Sequence, residues 1–419
     1  MKGENPRIRE GKMASAHKPR NAHYRTHGDQ VPDDPAVAWL LKSADPSVRY
    51  LTRTELLGES VRSARVRALR REIPQSARVR ALLNGQEANG GFGVHPYQKW
   101  TGAHWRLVAL AELALAPGDP RAGAAANDVL RWLTGDTHRN GIRTIEGRVR
   151  RCASQEGNAV GACSRLGLAG DPRIRELVCS LVSWQWPDGG WNCDKIPGAI
   201  HSSFHETVTP LRGLIEYERA TGDASGRGAI RRAVEFLLRH QLFRSEKTGK
   251  IADPHWLKLR FPPYWHYDIL QGLRVLSLVG KLDDPRAREA LDLVEHKRRP
   301  DGCWKADGFF WRPAGSRGSG TEVVDWGRSG PNEMVTLNAL RVLRAAGRLS
   351  LRSPDGPESR TWKLAENPVL ACMPSGRRYQ APLQREKAAP GADWTVIESG
   401  SDADESHRLT KPKPRRKNG

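Results

Sequence analysis

Cysteine, histidine and carboxylate side chains recur in this sequence just after glycine-rich turns and at the starts of the helices that follow them. Cys152, Cys193, His205 and His266 are the members of this set that we predict to bind a metal. Zinc accepts thiolate sulfur and imidazole nitrogen at tetrahedral geometry. The sequence therefore predicts a zinc site with two thiolates and one or two imidazoles. The fourth position would be held by histidine or left open to water.

The same helix starts supply groups for acid–base catalysis and for a cavity wall. His205, His266 and Asp268 are the candidate catalytic residues, and a helix N-terminus favours the charged form of a carboxylate. Aromatic rings stabilise a cation through their negative faces, although packing explains buried aromatic residues equally well. The residues expected to line the cavity are His104, Trp105, Trp265, Asp325 and Trp326.

Several nearby residues have a simpler structural explanation. Glu206 follows Ser203 by three residues, which predicts a capping box at a helix start. Cys163 and Cys179 lie in apolar helical runs and are expected to be core residues. His205 lies in the first turn of the capped helix, where a bond to a neighbouring loop explains it as well as catalysis does.

A turn, an irregular loop and a helix form the unit that positions these residues, and residues 185–213 show it most clearly. Pro187, Asp188, Gly189 and Gly190 are typical of a tight turn. Related turns contain Gly90, Gly141 and Gly302, and a degenerate copy lies near residues 248–251; most are about fifty residues apart. Internal similarity at this period indicates a repeat architecture.

Each repeat holds two helices of different character. The helix after a glycine turn is almost entirely apolar, as in Leu107–Leu115, whereas the helix that begins at Asp119-Pro120 or Asp171-Pro172 is amphipathic. No segment shows the strict alternation of a strand. Such repeats stack as an open superhelix or close into a ring. The division into buried and half-buried helices favours an all-α fold, an α/α toroid of five to six helical pairs with inner and outer rings.

The composition of the chain sets its domain organisation. Its 419 residues divide into a disordered basic arm (1–30), the toroid domain (31–352) and a disordered basic tail (353–419). The formal net charge is +21, but the arginines are dispersed and no recognition motif accompanies them, so the sequence does not favour nucleic acid as a partner.

Compartment and solubility follow from apolar runs and cysteine usage. No apolar run reaches membrane-spanning length, and the mean hydropathy is -0.62. Residues 1–20 are basic and polar without an apolar segment, so we do not expect them to be a secretory signal. Six irregularly spaced cysteines do not form a disulfide framework. We therefore expect a soluble, cytoplasmic protein of undetermined oligomeric state.

The glycine turns carry a family resemblance. Gln185-x-x-x-Gly189-Gly190-Trp191 resembles the QW repeat of squalene and hopene cyclases. Two further segments, Gln86–Phe92 and Lys297–Trp304, are similar but looser. Residues 33–349 thus resemble the terpenoid cyclase/protein prenyltransferase superfamily of α/α toroids. The resemblance implies a hydrophobic, isoprenoid-like substrate in a central cavity, and prenyltransferase β subunits, similar in fold, bind zinc through aspartate, cysteine and histidine.

The sequence departs from this superfamily where its chemistry is concentrated. The repeats contain no Asp-x-Asp-Asp acid motif, and its nearest relative, Asp402-Ala403-Asp404-Glu405, lies in the tail. A diphosphate–magnesium Asp-Asp-x-x-Asp motif and the prenyltransferase Asp-x-Cys spacing are also absent. Two alternatives therefore stay open: a non-catalytic toroid that binds a peptide or lipid, and a carbohydrate enzyme that uses two of Glu206, Asp268 and Asp325.

Overall fold

The computed structural model describes residues 34–351, which form fourteen α-helices and one β-hairpin. The predicted arm and tail, including Asp402–Glu405, lie outside the described residues. The helices are α1 (Pro35–Leu41), α2 (Pro46–Leu51), α3 (Ala64–Glu72), α4 (Ala77–Leu83), α5 (Ala103–Glu112), α6 (Pro120–Leu133), α7 (Asp136–Asn140), α8 (Ser154–Arg165), α9 (Pro172–Trp184), α10 (Phe204–Thr221), α11 (Arg227–Arg239), α12 (Ile269–Leu278), α13 (Arg288–His296) and α14 (Glu333–Ala345).

Aspartate–proline pairs begin several of these helices, as the sequence predicts. Asp34, Asp45, Asp119 and Asp171 are the N-caps of α1, α2, α6 and α9, and each carboxylate accepts a hydrogen bond from the amide two residues ahead. Proline fits the following position because its fixed φ suits the first turn and its missing amide hydrogen would have no partner there. None of the helices in residues 34–351 is long and apolar enough to cross a membrane.

Helices α5, α8, α10, α12 and α14 form an inner layer in which each contacts the next. Every residue of α5 is buried. The contacts continue from α14 to α1 and α2. Glu333 of α14 also forms an ion pair with Arg78 of α4 (Nη2–Oε2 3.0 Å), and α4 packs on α5. The inner helices thus contact one another in chain order, and α4 is joined to both α14 and α5.

Four further helices pack outside the inner layer. Helices α6, α9, α11 and α13 each contact the inner helix that precedes them in the chain. In α11, Ile230, Ala233 and Leu237 are buried, whereas Arg231 and Arg232 are exposed. One apolar stripe against the core and one charged face toward solvent is the usual pattern of a surface helix. The described domain is therefore a two-layered helical structure.

Helices α8 and α10 pack backbone to backbone through glycine. A Cβ atom added to Gly213 would lie 2.4 Å from the carbonyl oxygen of Gly157, and one added to Gly157 would lie 2.5 Å from the nitrogen of Pro210. No side chain fits at either position without a shift of the helices. The close approach fixes the starts of α8 and α10 beside each other.

The glycine turn at residues 185–191 joins consecutive repeats. Gln185 Nε2 donates to the carbonyl oxygens of Gly189 (2.7 Å), in its own turn, and of Ala229 (2.9 Å), in the next outer helix. Trp191 Nε1 donates to the carbonyl oxygen of Leu181 (2.8 Å). The glutamine thus ties the turn to the following repeat, and the tryptophan anchors it to the helix before it.

The same pattern recurs in the two related turns, with one change of register. Gln86 Nε2 donates to the carbonyl oxygens of Gly90 (3.2 Å) and Arg121 (2.9 Å). In the third turn Arg298 takes this role, since its Nε donates to the carbonyl oxygen of Gly302 (2.9 Å).

The sequence analysis begins this looser copy of the turn at Lys297, one residue before the position that takes the role of the glutamine. Lys297 instead bonds Asp307 through Nζ (2.9 Å). The difference arises because the spacing of four residues is set by the glycine that accepts the bond, and in this turn that glycine is Gly302.

A short hairpin is among the regular elements that the sequence analysis misses. Strands β1 (Arg143–Ile145) and β2 (Arg148–Arg150) pair antiparallel. Glu146 and Gly147 between them have φ values of 50° and 67°, as two-residue hairpin turns require. Three residues per strand are too few to show a recognisable alternation. The hairpin leads directly into Cys152.

Candidate metal centre

Two cysteines and one glutamate meet where the starts of α8 and α10 lie side by side. One ligand atom from each of Cys152, Cys193 and Glu206 lies within 4.8 Å of the other two. Cys193 Sγ is 3.8 Å from Glu206 Oε1. Among residues 34–351 these are the only Cys, His, Asp or Glu side chains that form a group of three with this spacing.

Three separate segments deliver these side chains. Cys152 follows the hairpin and lies two residues before α8. Cys193 lies in the loop after the Trp191 turn, and the amide of Arg151 donates to the carbonyl oxygen of Asn192 (3.1 Å), which holds the two cysteine segments together. Glu206 lies in the first turn of α10. Positive potential at helix N-termini favours thiolate and carboxylate forms.

The sequence predicts a capping box between Ser203 and Glu206, but only the hydrogen bond to the serine hydroxyl is present. Ser203 Oγ accepts from the amide of Glu206 (3.4 Å). The amide of Ser203 donates to the carbonyl oxygen of Trp191 (2.8 Å), so it does not need the glutamate. Glu206 Oε2 accepts instead from the amide of Ser154 (2.8 Å) at the start of α8. The carboxylate is thereby turned toward the cysteines.

Burial and neighbouring groups disfavour the charged forms of Glu206 and Cys193. Burial raises the pKa of Glu206 to about 7, against the hydrogen bond from the Ser154 amide, which lowers it. A hydrogen bond with Cys152, burial and the nearby Glu206 together raise the pKa of the Cys193 thiol far above its ordinary value. A divalent cation bound between them would supply the positive charge that lets all three ionise.

The donor set suits zinc. Zinc–sulfur bonds of about 2.3 Å and zinc–oxygen bonds of about 2.0–2.2 Å place tetrahedral ligand atoms roughly 3.5–3.8 Å apart. The 3.8 Å from Cys193 Sγ to Glu206 Oε1 falls at this value, and the 4.8 Å limit on the group leaves small side-chain adjustments. Three protein ligands with one open position is the pattern of catalytic rather than structural zinc sites.

A second buried carboxylate beside the group is already neutralised. Glu156 Oε1 accepts from Arg151 Nε (2.9 Å) and lies 2.9 Å from His138 Nε2. Burial raises the pKa of Glu156, but Arg151 and His138 outweigh that effect and the pKa is lowered overall. Glu156 therefore holds Arg151 in place and is not needed as a metal ligand.

The two predicted imidazole ligands lie outside the group. His205 Nδ1 accepts from the amide of Tyr267 (2.8 Å), and burial lowers the pKa of His205 to about 4. The ring of His266 is stacked between those of Trp265 (3.8 Å between centroids) and Phe310 (3.4 Å). Both imidazoles serve contacts around the start of α12, and Glu206 occupies the place that the sequence analysis assigned to histidine.

The other two candidate carboxylates have local structural roles. Asp268 is the N-cap of α12: its Oδ1 accepts from the amide of Gln271 (2.9 Å) and its Oδ2 from that of Arg260 (3.1 Å). Burial raises the pKa of Asp268 to about 6. Asp325 is exposed and accepts from the amide of Gly327 (2.9 Å), so it lines a surface turn and not an enclosed cavity.

His104 lies at the start of α5 and is 1% exposed. Neither of its ring nitrogens has a hydrogen-bond partner among the described residues. Burial lowers its pKa to about 3, so the imidazole is neutral and resists protonation. Its ring packs against Tyr97 (5.3 Å between centroids) and Trp105 (4.7 Å).

Tyr97 is the site residue that the sequence analysis misses. Burial, Glu206 and Cys152 all raise the pKa of its hydroxyl, and a hydrogen bond with Gln155 lowers it. The hydroxyl therefore lies beside the cysteine–glutamate group while the ring packs on His104. Tyr97 precedes α5 in an irregular loop, where neither helical period nor a turn motif marks it.

Further aromatic rings pack next to Tyr97 and form an aromatic wall with it. Trp100 stacks on Tyr264 (3.5 Å between centroids) and meets Trp105 edge-on (4.8 Å). Trp105, Tyr264 and Trp326 line an enclosed cavity of about 20 Å³, roughly the room that one water molecule needs. Trp265 packs on His266 instead. A larger ligand at this point requires surrounding side chains to move.

Comparison with known proteins gives similarity to solved structures alone. No protein-family model and no curated protein matches the chain. The type II terpene cyclase MstE from Scytonema is similar in three forms, at 16–17% identity over 75% of this chain. TM-scores are 0.37 for a variant with its substrate geranylgeranyl dihydroxybenzoate, 0.38 for a variant with its product merosterolic acid A, and 0.35 for apo MstE. These matches cover 96–97% of MstE; at this similarity they do not decide the function.

Proposed function

We propose that this protein is a zinc-binding α/α toroid of the terpenoid cyclase/prenyltransferase type that acts on an apolar, isoprenoid-like molecule beside the metal. One observation carries the proposal: Cys152, Cys193 and Glu206 converge from three segments until one ligand atom of each lies within 4.8 Å of the others. A cation bound between them would allow two thiols and a buried carboxylate to be charged together, because each otherwise disfavours the charge of the others.

The residues around the metal have separate tasks. Cys152, Cys193 and Glu206 would hold the ion, and the amide of Ser154 fixes the carboxylate through Oε2 (2.8 Å). Zinc with three protein ligands supplies Lewis-acid chemistry at its open position. Tyr97 and the neutral His104 would orient a bound molecule beside the group by hydrogen bonding, because burial disfavours the charged forms of both side chains.

The substrate class is inferred from the aromatic wall and from the resemblance of the glycine turns. Tyr97, Trp105 and Trp100 present ring faces and edges along one path from the metal group inward. Such a wall binds apolar chains and stabilises positive charge that develops on carbon. Peptides and sugars carry many polar groups for which this wall provides few partners.

Metal content of the purified protein tests the proposal. We expect about one zinc per chain by elemental mass spectrometry after growth with zinc, and loss of most of it in Cys152→Ser and Cys193→Ser. Cys303→Ser is the matched control, since Cys303 also follows a glycine turn but lies outside the group. A wild-type protein that contains no zinc and takes up none on dialysis would overturn the assignment.

The same preparations test the ligand class. Farnesol titrated into the zinc-loaded protein should quench tryptophan fluorescence, because Trp100 and Trp105 lie along the wall. Zinc-dependent conversion of an isoprenoid would distinguish an enzyme from a toroid that only binds. Equal quenching by farnesol and by a sugar such as maltose would remove the basis for an isoprenoid ligand.

A further inference from the structure

Arginine side chains from successive inner helices meet around one buried glutamate, Glu112. Glu112 is the last residue of α5. Its Oε1 accepts from Arg212 Nη1 (2.7 Å) and Arg165 Nη1 (3.4 Å), and its Oε2 accepts from Arg274 Nη2 (3.1 Å). One carboxylate is thus shared by guanidinium groups from α8, α10 and α12.

A fourth arginine from α14 joins the cluster with part of its hydrogen-bonding capacity unused. Arg341 Nη1 donates to Asn338 Oδ1 (2.9 Å). Arg341 Nη2 lies 2.9 Å from Glu55 Oε2, but without hydrogen-bond geometry, and its buried Nε has no partner among the described residues. The side chain of Glu55 is 46% exposed, so it is a weak counter-charge.

The cluster holds more positive than negative charge in a largely buried place. The side chains of Arg165, Arg212, Arg274 and Arg341 are 13–21% exposed. Glu216 is close enough to affect Arg165 and Arg212. Even with Glu55 and Glu216 included, four arginines face three glutamates. Burial is the main cause that lowers the pKa of Arg212 and of Arg341.

Both carboxylate oxygens of Glu112 accept hydrogen bonds from these arginines. Burial raises its pKa, but Arg274, Arg212 and Arg165 together outweigh burial and hold the pKa well below its ordinary value. The carboxylate therefore stays charged and still leaves a positive excess. Uncompensated buried charge is costly, so the cluster gains stability from a further anion.

The cluster adjoins the aromatic cavity at the end remote from the cysteines. Glu112 and Arg212 line that cavity together with Trp105, Tyr264 and Trp326. His104, near the metal group, and Glu112 are eight residues apart on α5, which is about 12 Å along a helix. A molecule that extends along the aromatic wall from the metal group would reach the arginines with its far end.

We propose that Arg165, Arg212, Arg274 and Arg341, the central arginine cluster, bind an oxyanion, either phosphate or carboxylate, carried at the end of an apolar ligand. The planar fork of guanidinium matches the paired oxygens of these anions. The anion site stands on the cluster alone, whereas the apolar part of the ligand rests on the proposed function. Cavity side chains must move to admit the chain of such a ligand.

Four probes distinguish binding of the anionic group from binding of the apolar chain: inorganic phosphate, farnesyl phosphate, farnesoic acid and farnesol. Tryptophan fluorescence reports binding, since Trp105 and Trp326 line the adjacent cavity. We expect farnesyl phosphate or farnesoic acid to bind at least about tenfold more tightly than farnesol, the effect of one charge-assisted hydrogen bond. Inorganic phosphate that binds as tightly as farnesyl phosphate would support a site for free anions. Equal affinity for farnesol and both anionic lipids would overturn the proposal.

Substitutions in the cluster should change anion affinity in opposite directions. Arg341→Gln should weaken farnesyl phosphate binding at least about tenfold, because it removes a charge without depriving Glu112 of its partners; Arg341→Lys should restore part of it. Glu112→Gln should strengthen binding by removing the competing carboxylate. If the Arg341→Gln variant does not fold, the same measurement is made on Arg274→Gln.

A matched control and the metal variants complete the test. Arg227→Gln removes an arginine of similar exposure (16%) that pairs with Glu218 outside the cluster, and it should leave binding unchanged. Unchanged anion affinity in Arg341→Gln, with native circular dichroism, would show that the cluster is a structural ion network. Cys193→Ser should lose zinc and keep inorganic phosphate binding, so failure of one proposal is visible apart from the other.

Discussion

The backbone contact between α8 and α10 predicts that the metal group depends on glycine at positions far from any ligand. Gly157 lies in α8 and Gly213 in α10, several residues beyond Cys152 and Glu206. We expect Gly213→Ala and Gly157→Ala to destabilise the fold and to weaken zinc binding together. The reason is that the two helix starts which carry the ligands are held together by this contact.

The size of the effect follows from the distances. A Cβ atom at Gly213 would lie 2.4 Å from the Gly157 oxygen, whereas ordinary contact begins at 3.4 Å, so the helices must separate by about 1 Å. Overpacking of this kind costs about 1–3 kcal/mol. The same shift would stretch the 2.8 Å bond from the Ser154 amide to Glu206 beyond hydrogen-bond range. The carboxylate would then be misplaced.

Urea denaturation and zinc stoichiometry, measured on the same samples, form the assay. Gly161→Ala is a milder change at the same helix contact, because its Cβ would lie 3.3 Å from Gly213 Cα. This substitution should lower the free energy of unfolding only slightly. Gly123→Ala on the outer helix α6 is the control, since its Cβ would meet nothing within 4 Å. That substitution should stabilise the helix by about 0.5–1 kcal/mol. Native stability and full zinc content in Gly213→Ala would refute the reasoning.

Three further predictions concern single side chains. Glu206→Gln should lower zinc affinity at least about tenfold in a chelator competition, with the fold unchanged by circular dichroism, since one anionic ligand is lost. Gln185→Leu should cost about 1–3 kcal/mol in urea denaturation by leaving the carbonyls of Gly189 and Ala229 without their donor. Asp268 binds its proton more tightly in the native state, with a pKa of about 6 against 3.8. The contribution of Asp268 to stability should therefore fall by up to about 3 kcal/mol as pH rises from 4 to 6, and Asp268→Asn should remove that part of the pH dependence.

Local sequence signals were sufficient for most helix starts and for the proximity of Cys152 and Cys193. Asp-Pro pairs and glycine turns act within a few residues of themselves, so they identify helix starts such as that of α6 without knowledge of the fold. Cys152 and Cys193 were predicted together because both follow a glycine turn and precede an inner helix. Because α8 and α10 start side by side, residues that occupy the same position in the two repeats lie close together in space.

Glu206 and His205 show where sequence reasoning fails. A glutamate three residues after serine has a sufficient local explanation as a cap, and only the bond from Ser203 to Trp191 reveals that the carboxylate is available. His205 is adjacent in sequence but points to Tyr267, because neighbouring helical residues face directions about 100° apart. The central arginine cluster is equally hidden. Single arginines on α8, α10, α12 and α14 look like ordinary solvent-facing residues until the helices are placed around Glu112.

The sharing of Glu112 makes the repeats interdependent. In an open array, stability is close to a sum over neighbouring repeats, and end repeats can unravel separately. Here the carboxylate on α5 is compensated by guanidinium groups that arrive from three other repeats. A partly assembled domain would bury that carboxylate with fewer partners, so intermediates with one repeat detached are penalised. Unfolding is therefore expected to be all-or-none across the domain. Deletion of any one inner helix should destabilise the whole domain and not only its neighbours.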